Sequence, residues 1–225
     1  RSHKQYHYAN VSVLRGRYIA GAVGSSDHDL VQALKGAIVV LQGGKAPAPM
    51  DFNEREALAL IAHTLGDMHQ PLHMGSIYLD ANGQSYDPDE KGNDPLTHTV
   101  GGNALVLPRP DGTPGGNLHS YWDNLPNRLS ADQLAALPAL SAQVPATPGQ
   151  PADWAVAWAS EGMQAAKQSF EGLQFGTRQQ SLRGSRWMVT PPPGYDERST
   201  ELIRLQLVKG GARLAQLLMA IWPDR

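Results

Sequence analysis

The stretch of residues 63–73 concentrates side chains that can bind a metal ion. It holds three histidines and one aspartate within eleven residues, and His63 and Asp67 stand four positions apart. Residues at positions i and i+4 lie on the same face of a helix, so this spacing presents an imidazole and a carboxylate together. Such groups are costly in an apolar interior unless they are paired or bound to a metal. The pattern therefore predicts a metal site in a helical core.

Proline interrupts this stretch between Asp67 and His73. Pro71 has no N–H group and its ring clashes with the preceding turn, so we expect the helix to end or kink there. The break can direct the imidazole of His73 to a point that a straight helix would not reach.

A second pair of the same kind occurs further along the chain. His119 and Asp123 are again four positions apart, and a Gly-Gly-Asn segment precedes them at residues 101–103. The chain has no cysteine, and nitrogen and oxygen ligands alone are typical of zinc in a catalytic site. Five side chains are therefore expected to converge on one cleft: His63, Asp67, His73, His119 and Asp123. We expect His73 and Asp123 to lie within ~10 Å of each other, because zinc bonds are short.

Together these motifs resemble the S1/P1 nuclease family, the zinc-dependent nucleases related to bacterial phospholipase C. The resemblance rests on HTLGDMHQPLH at residues 63–73, on GGN at 101–103 and on NLHSYWD at 117–123. It extends upstream to residues 6–10 and downstream to residues 209–215, which are similar to the last helix of the family. It thus covers nearly the whole chain. One H-x3-D motif alone is weak evidence, whereas two of them with the intervening histidine and Gly-Gly-Asn are specific.

The resemblance implies three zinc positions with separate sets of ligands. Two of the sets are formed by His73, His119 and Asp123, and by His7, His63, Asp67 and a further aspartate. The third position would share Asp67 as a bridge and would use an N-terminal tryptophan and a nearby histidine. The family's first segment has no counterpart after Arg1, so we expect three zinc ions if that segment exists and one or two if Arg1 is the true start.

The resemblance also implies an activity. A zinc cluster lowers the pKa of a bound water and stabilises charge on phosphate oxygens. The expected enzyme is a zinc-dependent endonuclease or phosphodiesterase that hydrolyses RNA and single-stranded DNA, with 3′-nucleotidase activity as a further expectation. Asp67 is the first candidate for a catalytic role because it would bridge two zinc ions.

Four further residues are candidates for contact with a nucleic-acid substrate. The family uses an asparagine at the position of Asn124 near the scissile phosphate, which makes Asn124 a catalytic and substrate-binding candidate. Asn10 occupies the position of a family residue that reads a base edge. Tyr8 could stack on a base, and Arg15 could pair with a phosphate.

Composition sets limits on the protein class. The 225 residues are enough for one domain over residues 1–225, and no apolar run approaches the ~18 residues of a membrane span. The net charge of −2 argues against a broad basic surface for duplex DNA, although bound metal ions can supply positive charge locally. No signal peptide is visible, but the resemblance implies a secreted or periplasmic protein. We expect a monomer.

Apolar residues recur at helical spacing and predict a mainly α fold with a short irregular β segment. The resemblance implies that this is a single multi-helix domain with the phospholipase C/P1 nuclease-like fold. The metal-binding helix is expected to bury one stripe: Leu58, Ile61, Ala62 and Leu65. The predicted helices are a segment up to residue 41 capped by Ser26 or Asp27, a run at 53–61 capped by Asp51, and residues 129–137, 153–172 and 196–221. Residues 105–116 indicate a short hairpin or an irregular crossing, and residues 177–186 give no clear prediction.

Two other functions fit parts of this pattern. A zinc-dependent phospholipase C would share the metal arrangement but would need an apolar rim at the membrane interface. Tyr8, Arg15 and the Gly-Gly-Asn segment favour nucleotide substrates over lipids. A catalytically impaired metal-binding protein is the third hypothesis, and it applies if Arg1 is the true start.

Overall fold

The computed structural model describes residues 3–182 and 184–223, so Arg1 lies outside the described residues. The described chain contains eight α-helices, in order α1 Leu30–Leu41, α2 Glu54–Met68, α3 Pro71–Met74, α4 Pro88–Lys91, α5 Leu118–Asn124, α6 Ala131–Ser141, α7 Pro151–Phe170 and α8 Tyr195–Ile221. Short 3-10 segments lie at Lys4–His7, Val13–Arg15, Pro95–Thr97 and Leu125–Arg128. The prediction of a mainly α fold is confirmed. None of the helices in the described ranges is both long and apolar enough to cross a membrane.

The first two helices begin at caps that differ from those predicted. Asp29, rather than Ser26 or Asp27, accepts hydrogen bonds from the first backbone N–H groups of α1. It is buried and also accepts a hydrogen bond from the Tyr18 hydroxyl, so tertiary packing selects this cap. Asn53, rather than Asp51, caps α2 in a capping box with the Glu56 side chain.

Helix α2 is rotated relative to the predicted stripe. Its buried apolar residues are Ala57, Ile61, Leu65 and Met68. Leu58 is 44% exposed and Ala62 is also exposed, so these two predictions were wrong. The rotation leaves the His63 side chain 59% exposed, while that of Asp67 is 16% exposed. The two residues therefore lie at the edge of the core, where they can face a cleft.

The chain breaks after α2 as the proline predicted. Helix α2 ends at Met68, and α3 begins at Pro71 with Gln70 as its cap. Helix α3 packs against α7 at Gly162, where a Cβ would lie 2.8 Å from the Met74 side chain. A glycine at this contact lets the short helix approach closely, and this approach fixes the place of His73.

Five short strands form a small mixed sheet: β1 Leu105–Pro108, β2 Pro114–Asn117, β3 Gln174–Phe175, β4 Gln179–Ser181 and β5 Gly184–Thr190. Strands β1 and β2 form the predicted hairpin, and β1 also pairs in parallel with β5. Strands β3 and β4 pair antiparallel with β5. The sheet is thus larger than the single β segment expected, because residues 177–186 contribute strands. Strand β2 leads directly into α5 and positions its first turn.

The buried apolar residues form two clusters. One cluster joins α1, α2 and α7, and it contains the buried residues Trp154 and Trp158. The second cluster lies between α5, the sheet and the start of α8, and it contains Trp122 and Trp187. The α2–α3 break and α5, which carry the candidate metal ligands, are anchored in these two clusters.

Candidate metal centre

The first candidate metal group, called here the His7 group, consists of His7, His63 and Asp67. Nδ1 of His7 lies 3.0 Å from Oδ2 of Asp67, and Nε2 of His63 lies 3.2 Å from the same oxygen. The potential ligand atoms all lie within 4.8 Å of one another. The residues come from the 3-10 segment at Lys4–His7 and from one face of α2. The fold therefore aims two imidazoles and one carboxylate at a common point.

The second candidate group, the His73 group, consists of His73, His119 and Asp123. Nε2 of His73 is 3.6 Å from Oδ1 of Asp123, and Nε2 of His119 is 3.8 Å from Oδ2 of that carboxylate. Helix α3 supplies the first histidine, while α5 supplies the other two residues on one face. The expectation that His73 and Asp123 lie within ~10 Å is confirmed.

Asp67 lies between the two groups. Its Oδ2 faces the imidazoles of the His7 group, and its Oδ1 is 3.8 Å from Nδ1 of His73. These contacts show that the five side chains that were expected to converge do lie together, and that His7 lies with them. Asp67 is therefore a member of the His7 group that also lies against the Nδ1 side of the His73 ring.

Backbone carbonyls fix the orientation of two imidazoles. Nδ1 of His73 donates to the carbonyl oxygen of His7 at 2.5 Å, and Nδ1 of His119 donates to that of Gly101 at 2.7 Å. Each ring therefore presents Nε2 to the centre, which is the arrangement that favours metal binding. Gly101 has φ +55°, and a Cβ there would lie 2.5 Å from the Leu72 carbonyl oxygen. The positive φ and the close Leu72 carbonyl explain why residue 101, in the Gly-Gly-Asn segment, is a glycine.

Gln70 was not predicted to contribute to the site. Its Nε2 donates to Oδ1 of Asp123 at 2.7 Å, and its Oε1 accepts from the backbone N–H of Leu72. The residue stands inside the motif of residues 63–73, but its partner lies 53 positions away. No local spacing rule could have connected the two.

The electrostatics of the His73 group keep its carboxylate ionised. Burial alone would raise the pKa of Asp123, but hydrogen bonds from His73 and Gln70 outweigh it and lower the pKa. Burial works to lower the pKa of His73, yet Asp123 and Asp67 outweigh it and raise the pKa. The pKa of His119 is lowered by burial and by the neighbouring His73. Metal ligands must be deprotonated, so the lowered pKa values of Asp123 and His119 suit the role, whereas a metal ion would have to displace a proton from His73.

His69, the middle histidine of the motif, belongs to a different network. Its Nδ1 donates to the carbonyl oxygen of Leu65 at 2.7 Å, and its Nε2 accepts from Arg213 at 2.9 Å. Burial and the charge of Arg213 lower its pKa to about 4. Both ring nitrogens are engaged, so His69 links α2 to α8 and is absent from both metal groups.

A cavity of about 320 Å³ adjoins the two groups. Asp67, His73 and Asp123 contribute polar atoms to its wall. The rest of the lining is mainly apolar and comes from α2, α5 and α8, including Leu65, Trp122, Ile203, Leu207 and Leu214. A substrate in this cavity would meet the ligand carboxylates on one side and apolar side chains on the other.

The predicted substrate residues lie outside both metal groups. The Asn124 amide donates to the carbonyl oxygen of Ser120 in its own helix. The Asn10 carbonyl oxygen accepts from the Tyr78 hydroxyl, and Tyr8 is half-buried. Their contact with substrate stays a prediction.

Arg15 has partners other than the predicted phosphate. Its guanidinium contacts Asp87, lies 3.1 Å from Glu90 and 3.9 Å from Asp89. These carboxylates belong to the polar segment around α4. Arg15 would have to leave them to bind a phosphate, so the structure gives this part of the prediction no support.

The fold and the site together define a class of protein. A helical chain that carries two neighbouring His–His–Asp groups has the donor arrangement of a metal-dependent hydrolase. The S1/P1 Nuclease family model matches residues 1–223, and the chain belongs to that family. The assignment made from the motifs is confirmed, and it identifies the activity as that of a nuclease, a phosphodiester hydrolase. No match to a curated protein accompanies it.

Proposed function

We propose that this protein is a zinc-dependent endonuclease that hydrolyses RNA and single-stranded DNA, with 3′-nucleotides as further substrates. One observation carries the proposal. The His7 group and the His73 group lie side by side, with Asp67 of the first 3.8 Å from His73 of the second, in a chain that belongs to a nuclease family. Two adjacent metal sites are a common solution for phosphodiester hydrolysis, because they can stabilise both the attacking and the leaving oxygen.

The donor chemistry fits zinc. Each group supplies two imidazole nitrogens and one carboxylate, and the chain contains no cysteine to form a thiolate site. Zinc, when bound, supplies a Lewis acid toward phosphate oxygens and lowers the pKa of water. We propose one zinc ion in each group. The third zinc that the family resemblance implies would need donors beyond these six side chains.

The side chains around the metals would orient the substrate and the ligands. Asp67 would bind and offset the charge of the zinc ion of the His7 group, and its second oxygen would be available to the third zinc that the resemblance implies. Asn124 follows the ligand Asp123 directly, and Oδ1 of Asn10 is 3.2 Å from the position of a Cβ on Gly101. We propose these two asparagines, with Tyr8 beside His7, as substrate contacts.

Replacement of Asp67 by asparagine tests the proposal. Asp67→Asn keeps the size of the side chain but removes its charge and one anionic oxygen, so hydrolysis of single-stranded DNA should fall by at least about 100-fold. His119→Ala should remove one zinc ion and leave the His7 group intact. Asp132→Asn, an exposed carboxylate at the start of α6, is the matched control. Zinc content and hydrolysis rates would be measured for all four proteins.

The outcomes separate the hypotheses. Full zinc content and an unchanged nuclease rate in Asp67→Asn would remove Asp67 from the mechanism. The mainly apolar cavity wall also favours a second candidate, a zinc-dependent phospholipase C. Phosphatidylcholine is therefore assayed in parallel, and lipid cleavage without nucleic-acid cleavage would assign the function to the phospholipase. We further propose that the protein works as a secreted or periplasmic monomer, which cell fractionation and light scattering would test.

A further inference from the structure

Gln70 makes two hydrogen bonds of opposite polarity at the break between α2 and α3. Its Oε1 accepts from the backbone N–H of Leu72 at 2.5 Å, and its Nε2 donates to Oδ1 of Asp123 at 2.7 Å. A backbone N–H only donates and an ionised carboxylate only accepts, so the partners allow one orientation of the amide. The residue is 9% exposed, which leaves the side chain little freedom to move.

The hydrogen bond acts on the most exposed member of the His73 group. The side chain of Asp123 is 43% exposed, compared with 17% for His73 and 16% for His119. A carboxylate with that exposure could rotate about its side-chain bonds in the absence of a fixed partner. Gln70 holds Oδ1, and this leaves Oδ2 turned toward Nε2 of His119 at 3.8 Å.

The same amide also fixes a second ligand. Gln70 is the N-terminal cap of α3, and this four-residue helix carries His73. A helix of that length depends on its cap and on packing, because it has few internal hydrogen bonds. The Gln70 side chain thus fixes the position of His73 on α3 relative to Asp123 on α5.

We propose that Gln70 is a positioning residue, which holds Asp123 in the orientation that completes the His73 group as a zinc site. The inference rests on the proposed function, because it takes that group to be a metal site. Hydrogen-bond partners behind ligands commonly account for about 10–100-fold in metal affinity. The Gln70 amide has the features of such a partner: it is buried, held at both ends, and aimed at a ligand oxygen.

Two variants separate this role from helix capping. Gln70→Glu keeps the shape and an oxygen that can accept from Leu72, but it places a second carboxylate against Asp123. Gln70→Ser is a good helix cap, yet its hydroxyl is too short to reach Asp123. The two variants share the loss of the donor to Asp123 while both keep a cap.

A matched control makes the same chemical change elsewhere. Gln133 lies in the capping box of α6, where its Oε1 accepts from the backbone N–H of Ser130. Gln133→Glu keeps that acceptor and adds a negative charge at the start of a helix outside the two metal groups. Any general effect of converting glutamine to glutamate at a helix start appears in this control.

Calorimetric titration of the metal-stripped full chain with zinc measures the affinity and the number of bound zinc ions. We expect both Gln70 variants to bind one zinc ion about 10–100-fold more weakly, with the other zinc and the control unchanged. If Gln70→Glu does not fold, Gln70→Ser gives the decision. Wild-type affinity in a folded Gln70 variant would overturn the positioning role. Wild-type protein that binds no zinc would instead overturn the proposed function, and the inference with it.

Discussion

The hydroxyl of Tyr195 connects the helix of the His73 group to the rest of the core. It accepts a hydrogen bond from the indole Nε1 of Trp122 at 3.0 Å and donates to the carbonyl oxygen of Ser169 at 2.7 Å. Trp122 is fully buried and immediately precedes the candidate ligand Asp123. Tyr195→Phe keeps the ring but leaves a buried donor and a buried acceptor without this partner. We expect it to lower the free energy of unfolding.

The size of the loss follows from those two groups. Each buried polar group left unsatisfied costs about 1–3 kcal/mol, so we expect a loss of about 3 kcal/mol for Tyr195→Phe. That corresponds to a fall in melting temperature of roughly 6–12 °C for a chain of this size. Tyr121→Phe is the control, because the Tyr121 hydroxyl donates to Asp196 at the exposed surface. The free energy of unfolding of Tyr121→Phe should fall by less than about 1 kcal/mol.

Urea unfolding followed by tryptophan fluorescence, at one fixed zinc concentration, measures both variants. Equal losses for Tyr195→Phe and Tyr121→Phe would refute the reasoning, because burial of the unpaired groups would then carry no cost. Hydrolysis per folded molecule should change little in Tyr195→Phe, since the hydroxyl touches neither metal group.

The dependence of this effect on pH has a defined sign. Burial raises the pKa of Tyr195 to about 12, whereas an unfolded tyrosine titrates at about 10. Between those values the unfolded chain loses its proton first, so the contribution of Tyr195 to stability is complete below pH ~10 and is lost as the pH rises toward ~12. The difference between wild type and Tyr195→Phe should therefore shrink over that range. A constant difference would contradict the assignment.

Two further predictions concern the surroundings of the metal groups. Gly101→Ala would place a Cβ 2.5 Å from the Leu72 carbonyl oxygen at a positive φ, so the loop must shift and release His119. Zinc titration of this variant should show about 10-fold weaker binding at one site. Two zinc sites of wild-type affinity would contradict this prediction. Burial and the charge of Arg213 lower the pKa of His69 to about 4, whereas the pKa of a histidine in the unfolded chain is about 6.5. The contribution of His69 to stability is therefore present above pH ~6.5 and is lost as the pH falls toward ~4. Acid unfolding of His69→Gln should lack this slope, and an identical slope in both proteins would exclude His69 as its source.

Local patterns were sufficient to predict the longer helices and to select candidate metal ligands that the fold brings together in two groups. Both H-x3-D pairs lie within single helices, so the spacing alone predicts which side chains share a face. The break at Pro71 follows from the chemistry of one residue. Helix starts were harder to predict, because Ser26, Asp27 and Asp29 are all capable caps. The hydrogen bond from the Tyr18 hydroxyl favours Asp29, and that contact comes from elsewhere in the fold.

The part of the sheet beyond the β1–β2 hairpin could not be predicted from local patterns. Strand β4 reads Gln-Gln-Ser, which has no apolar alternation, and β5 buries little besides Trp187 and Val189. The sheet is completed by a parallel pairing in which Leu105 faces Trp187, across α5, α6 and α7 in the sequence. Such pairing is selected by tertiary burial rather than by propensity.

His69 shows what spacing can and cannot decide about a ligand. A helix advances about 100° per residue, so Asp67 lies roughly 40° around the axis from His63, while a helical residue 69 would lie roughly 240° around. This angle separates His69 from the ligand face, although its residue type and neighbours are those of a ligand. The partner that occupies its second nitrogen, Arg213, stands 144 positions further along the chain. Periodicity thus identifies the histidine that faces away from the metals, but only the packing of α8 against α2 explains why an uncharged imidazole is stable there.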